Sequence, residues 1–341
     1  MNSSTKLHTL LKLERLNGAP SRFRTTSKPK APPGAKGTFG GILVSQSLLA
    51  SMQTVPIAFR PSSLHSYFLI GGNPNHHIEY DVESLRAGKN FIHKQVKAYQ
   101  FNKLIFISTI LFYRKPKPDK LHALNKLGKL QELPPFDKFY PSTQLFEKDV
   151  LSNGNLPKFK RISSVFQGSD EETEKVRERF EAGSVDYRFP NNFFVNQTDS
   201  DQLDYYLRVR EDIGEEELEQ DENEVSDVSE NDARFNYIAF AYLSDSYVLL
   251  SLPYFHKLPL YSHKFSVSLD HTIYFHQLPR VSKWMFAQLF NPRSYHDKHL
   301  ILGHYYDRES KSLVATITQE GLVAYQEKDV IMSKFHGDSK L

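Results

Sequence analysis

Apolar and polar positions along the chain follow one order that occurs twice. Gly40-Gly41 is followed by Ile42, Leu43, Leu48, Leu49 and Met52 in small-residue company, a run apolar on every side. Such a helix is buried rather than amphipathic. After it come β-rich runs at Ser63–Ile70, Ile78–Leu85, Asn90–Gln100 and Lys103–Arg114, the last two joined at Phe101-Asn102 as a hairpin. The second half repeats this. Phe235–Leu252 is a long apolar helical run, and strand-like stretches follow at Phe265–His276, Trp284–Phe290, Lys298–Tyr306 and Lys311–Tyr325. A turn at Asp307-Arg308-Glu309 stands where the first half has Asn102. A short extended piece precedes each helix, Ser21–Ser27 in one half and Leu203–Arg210 in the other. In the latter, Tyr205, Leu207 and Val209 alternate with Tyr206, Arg208 and Arg210, the period of a half-buried strand. Strand, buried helix, then several antiparallel strands is an α+β layout. Two units are predicted, 1–117 and 184–341, with a polar, partly helical connector at 118–183.

The length of 341 residues fits two domains, and 25 Phe with 18 Tyr supply the area for a large core. With no Cys, disulfides, thiolate metal sites and a cysteine nucleophile are excluded. The longest apolar run, Leu104–Phe112, is far shorter than the roughly 20 residues of a membrane-spanning helix. Charge is uneven. Glu211–Glu230 holds eleven acidic residues and no Lys or Arg, and is expected, to about 231, to be a disordered surface insertion. The other 29 carboxylates face 43 Lys and Arg, an excess of 14 that suits an anionic partner. Scattered basic residues and the absence of a recognition motif argue against nucleic acid.

Near the N-terminus, Leu7, Leu10, Leu11 and Leu13 predict a short amphipathic helix within Ser4–Leu16. The basic residues up to Lys36 also fit a mitochondrial presequence, a reading that Glu14 weakens. At the other end, Ser339-Lys340-Leu341 is the tripeptide read by a peroxisomal import receptor. It predicts that partner and a location in the peroxisomal matrix.

Searches for familiar catalytic patterns return little. There is no G-x-S-x-G elbow. Gly34–Thr38 lacks the gap of a phosphate-binding loop. No metal-ligand pattern appears, and His271 and His276, five apart on a strand, are expected on opposite faces. Three polar residues stand out by position. Asp245 sits in the second apolar helical run, a costly place for a carboxylate without partners. Ser268 opens Ser268-Leu269-Asp270-His271, and Gln319 lies in the last strand. Taken singly, each also reads as an ordinary exposed or strand residue.

Several segments together change that balance: GTFGGILVSQSLLA (37–50), SLHSYFL (63–69), GKNF (88–91), VKAYQ (96–100), AYLSDSYVL (241–249), SLDHTIYFH (268–276) and ATITQEG (315–321). In this order they resemble the type II acyl-CoA thioesterases, nearest the fungal peroxisomal branch. The resemblance implies a tandem double hotdog fold, acyl-CoA as substrate and no cofactor or metal. It assigns catalysis to Asp245, Ser268 and Gln319, which would hold one water, with Ser268 where many relatives carry Thr. Gly40 and Gly41, at a helix start, and His65 are further candidates for oxyanion stabilisation or substrate positioning. Ile70 stands where relatives often have Arg, so no role is carried over there. Self-association through sheet edges is also implied. Two rivals remain at this level. One is a non-catalytic acyl-CoA binder. The other is a hotdog enoyl-CoA hydratase, for which Gly72-Asn73-Pro74-Asn75-His76 is similar to the signature except that Gly71 replaces its Asp.

Overall fold

The computed structural model describes residues 7–32, 35–115, 126–152, 183–196, 198–215, 222–258 and 263–325. The Ser339-Lys340-Leu341 tail and most of the connector lie outside them. In the first half, α1 (Leu7–Leu11), β1 (Leu13–Arg15) and β2 (Arg22–Thr25) lead to α2 (Gly40–Met52). Then come β3 (Phe59–Phe68), β4 (Glu79–Ala87), β5 (Phe91–Gln100) and β6 (Lys103–Arg114). The connector supplies β7 (Phe139–Pro141) and α3 (Ser142–Phe146). In the second half, β8 (Val185–Pro190) and β9 (Gln202–Val209) precede α4 (Phe235–Leu243) and α5 (Leu252–Phe255). The remaining strands are β10 (Phe265–Ser268), β11 (Asp270–Phe275), β12 (Met285–Tyr295), β13 (Lys298–Asp307) and β14 (Leu313–Ala324).

All of these strands form one sheet in the order β1-β2-β4-β5-β6-β3-β11-β14-β13-β12-β9-β8-β7, with β10 beside β14. The halves meet where β3 pairs antiparallel with β11, Leu64 opposite Ile273 and Ser66 opposite His271. Each half wraps its sheet around one helix, and α2 and α4 touch each other at the centre. This is the tandem double hotdog. Every residue of α2 from Gly41 to Met52 is buried. Each large apolar side chain there contributes about 1.5–3 kcal/mol of burial. The serines fit because they bond within the helix, Ser45 Oγ donating to Gly41 O at 2.6 Å and Ser47 Oγ to Val44 O at 2.8 Å. In the β5–β6 hairpin, Phe101 and Asn102 both take positive φ, 51° and 56°, which matches the twist of the flanking strands.

Four elements differ from the sequence-based expectation. The N-terminal helix ends at Leu11, because Leu13–Arg15 is drawn into the sheet against Arg22–Thr25 across a turn with Gly18 at φ 72°. The second apolar run is not one helix. It stops at Leu243, turns through Tyr247 at φ 62°, and resumes as α5. Asp245 therefore stands in a turn beyond the helix rather than inside it. The strand expected over Phe265–His276 is split at Leu269. Ser268 pairs with Gly321 and Thr272 with Thr318, so the β10–β11 side holds one extra residue, a bulge.

The fourth difference is the acidic stretch, whose described residues are held in place rather than disordered. Glu211 Oε1 and Oε2 accept the Leu7 N–H at 2.7 and 2.8 Å. Ile57 N and Ala58 N donate to the carbonyls of Glu224 and Glu222. Val228 and Ile213 are buried, and Arg234 makes a buried ion pair with Asp232 at 2.5 Å. Composition argued for disorder, but the acceptors of this stretch find backbone donors far away in sequence.

Candidate active site

Asp245, Ser268 and Gln319 come from three separate elements and meet in one cluster. The end of α4 brings Asp245, the end of β10 brings Ser268, and the middle of β14 brings Gln319. Gln319 Nε2 donates to Asp245 Oδ1 at 2.8 Å and to Ser268 Oγ at 2.8 Å. An amide NH2 has two hydrogens, and both are used. Asp245 and Gln319 are buried, and Ser268 is half-buried.

The fourth wall belongs to the other half of the molecule. The N-terminal turn of α2 abuts Asp245, and the Gly41 N–H donates to its carboxylate. Asp245 follows the C-terminus of its own helix, an unfavourable place for negative charge, and α2 offsets this with its N-terminal end. Close approach explains the two glycines. A Cβ on Gly40 would lie 2.7 Å from Asp245 Oδ2 and 3.0 Å from Phe68 Cε1. One on Gly41 would lie 2.5 Å from Tyr242 O. Phe39 packs edge-on against Tyr242 at 5.1 Å, fixing the two helix ends together. Burial pushes the Asp245 carboxyl up to about 7, while the bonds from Gln319 and Gly41 pull it down. Desolvation is the larger effect, which leaves a carboxylate that changes protonation near neutral pH.

Of the remaining candidates, Gly40 and Gly41 reach the cluster, although the Gly41 N–H serves Asp245 rather than a substrate oxygen. His65 does not reach it. Its side chain is on the exposed face of β3, beside Thr272 Oγ1 at 3.3 Å and edge-on to Tyr274, while Leu64 and Ser66 take the buried face. The loop similar to a hydratase signature is a structural turn, in which Gln100 accepts the Asn73 N–H and donates to the Asn73 and His76 carbonyls.

One member of the cluster was weighed in the sequence only as a possible metal ligand. His271 is fully buried, with Nδ1 3.0 Å from Gln319 Oε1 and Nε2 3.0 Å from Ser244 Oγ. Simple alternation puts Ser268 and Asp270 on one face and His271 on the other. The bulge at Leu269 shifts the parity, so Ser268 and His271 both approach Gln319. The dipeptide Asp270-His271 inside a matching segment was the available signal.

Comparison with known proteins gives consistent results. Residues 193–322 match the family model described as acyl-CoA thioesterase, and residues 28–113 match that of the acyl-CoA thioesterase N-terminal domain. The chain is 48% identical over 336 residues to the peroxisomal acyl-coenzyme A thioester hydrolase 1 of Saccharomyces cerevisiae, covering 95% of this chain and 96% of that protein. Among solved structures, an acyl-CoA thioesterase II from Mycobacterium marinum superposes with TM-score 0.64 at 22% identity, over 94% of this chain and 99% of that one. A hot dog fold protein from Alicyclobacillus acidocaldarius superposes with TM-score 0.61 at 14% identity, over 93% and 97%.

Proposed function

The chain belongs to the acyl-CoA thioesterase family, and we propose that it hydrolyses fatty acyl-CoA to free fatty acid and CoA by direct attack of water. The observation that carries the mechanism is the convergence of Asp245, Ser268 and Gln319 under the N-terminus of α2. A thioester leaves as a thiolate whose acid has a pKa of about 8.5, so the leaving group needs little protonation. What the site has to supply is a deprotonated, aimed water and a place for the oxyanion. Asp245 takes the proton of the water, and a carboxyl near 7 is matched to that task at neutral pH. Gln319 already donates to Ser268 Oγ, so the Ser268 hydroxyl proton is left to orient the water. The first-turn N–H of Gly40, which no intrahelical acceptor can reach, is the donor assigned to the oxyanion. Ser339-Lys340-Leu341 addresses the enzyme to the peroxisome through its import receptor, in keeping with the name of the yeast relative.

The test is thiol release from acyl-CoAs of graded chain length, followed with a thiol reagent. The protein has no Cys, so every thiol that appears is CoA. Release by the wild type that falls by roughly 10²-fold or more, to a measurable residue, in Asp245→Asn and Gln319→Ala supports both the activity and the site. Binding of acyl-CoA without release at any chain length would overturn the activity.

A further inference from the structure

We infer that His271 is a positioning residue that sets which way the Gln319 amide faces and, through it, the direction of the hydrogen bonds that Gln319 makes to Asp245 and Ser268. This rests on the reading of Asp245, Ser268 and Gln319 given above.

An amide can sit in its plane two ways. With Nε2 toward Asp245 it donates to a carboxylate and to Ser268; turned over, it would set Oε1 against Asp245 Oδ1. What stabilises the first orientation at the opposite edge is the group facing Oε1, and that group is His271 Nδ1, at 3.0 Å. An amide oxygen only accepts, so Nδ1 carries the proton. Nε2 of the neutral ring then holds a lone pair. The Ser244 hydroxyl, on the turn that also carries Asp245, lies 3.0 Å from both Nε2 and the Ala241 carbonyl, and in this tautomer its one proton goes to Nε2 rather than to Ala241 O. Burial lowers the ring to about 4, so it stays neutral wherever the enzyme would work. The backbone of His271 is fixed as well, since Ser66 Oγ donates to its carbonyl across the β3–β11 seam at 2.7 Å.

The chain of donors thus runs one way, from His271 Nδ1 to Gln319 Oε1 and from Gln319 Nε2 to Asp245 and Ser268. Reversing the first link turns the amide, puts an acceptor against the base and takes the donor away from Ser268. Its contact with Ser244 is a separate link to the turn of Asp245, and the effect inferred here is the one that passes through Gln319.

A double-mutant cycle tests this. His271→Leu should lower kcat by about 10–100-fold with KM within about twofold, the pattern of an interaction lost from the transition state. In a Gln319→Ala background the same change should cost no more than about twofold, because no amide remains to be aimed. His271→Asn, which offers an amide N–H near the place of Nδ1, should restore most of the turnover. An equal cost of His271→Leu in both backgrounds would mean a merely structural role and would overturn the inference. So would full turnover in His271→Leu. A second measurement reads the wild type directly: nitrogen shifts of the 15N-labelled ring, the His271 signal being the one missing from His271→Asn. A proton on Nδ1 is expected; a proton on Nε2 would sink the idea. If Gln319→Ala is itself fully active, it is the underlying reading of the site that fails, an outcome distinct from all of these.

Discussion

At one end of the helix pair the N-terminus of α2 meets the end of α4. At the other, the end of α2 approaches the start of α4. The fold makes these ends near copies, yet they are finished in opposite ways. The first holds Asp245, Ser268, Gln319 and His271 in a partly open cluster. The second is sealed by α1 and the acidic stretch. Arg15 bridges Gln53 O and Asp227 there, and Arg234 pairs with Asp232 and reaches Ser226. No Asp or Glu occurs between Gly40 and Ala58, and β6 has no Gln, so the first half lacks its own set of reacting groups. It contributes a helix N-terminus instead. The contrast teaches that two frames of the same pattern can be finished differently, and that the proposed site draws on both.

The largest effect that would break this contrast is at the open end. Asp245→Asn should cut kcat by roughly 10²–10⁴-fold, the usual share of general-base catalysis, in a protein whose circular dichroism is unchanged. Near-normal turnover would remove Asp245 from its role. At the sealed end, Asp232→Asn strands the buried Arg234 and should destabilise by about 3–5 kcal/mol in denaturant titration, with turnover per folded molecule unchanged. A loss of turnover in the folded fraction would mean that the two ends are not independent. Gly40→Ala tests the borrowed helix. It presses a methyl group on Asp245 and Phe68, so a cost of about 1–3 kcal/mol and a kcat reduction larger than the KM change are expected. The smallest effect should come from His8→Ala. Its pair with Glu230 is partly exposed and worth about 0–1 kcal/mol, and thiol release should not change.

Acidity sharpens the comparison further. The Asp245 carboxyl is raised in the folded chain above its ordinary value of 3.8, so its contribution to stability is full below about pH 4 and is lost as pH rises through about 7. The expected result has two parts. Turnover should climb with pH through that region, and the Tm of the wild type should fall relative to that of Asp245→Asn over the same interval. Parallel Tm curves from pH 5 to 8 would mean that the carboxyl is not raised.

Much of this was legible in the residues. The apolar-all-round run at 40–52 and the hairpin at 90–114 follow from local pattern, and the resemblance named Asp245, Ser268 and Gln319. What escaped depends on geometry between distant parts. His271 was hidden by a one-residue bulge that reverses side-chain parity. The role of Gly41 depends on Asp245, far away along the chain. The acidic stretch looked unable to order itself, since its partners, the N–H groups of Leu7, Ile57 and Ala58, are recognisable only once the sheet has closed.

The strand that carries Gln319 is the last in sequence among those described, yet it lies between β11 and β13, well inside the sheet. During synthesis on the ribosome, the earlier strands must therefore wait with a gap beside β11. Until residues 313–324 have emerged and been inserted, Asp245 has no amide partner, and the halves can be joined only by the β3–β11 seam, the α2–α4 contact and the bonds of Leu7, Ile57 and Ala58 to the acidic stretch. The cluster of Asp245, Ser268 and Gln319 is therefore complete only when this last strand is in its place in the sheet.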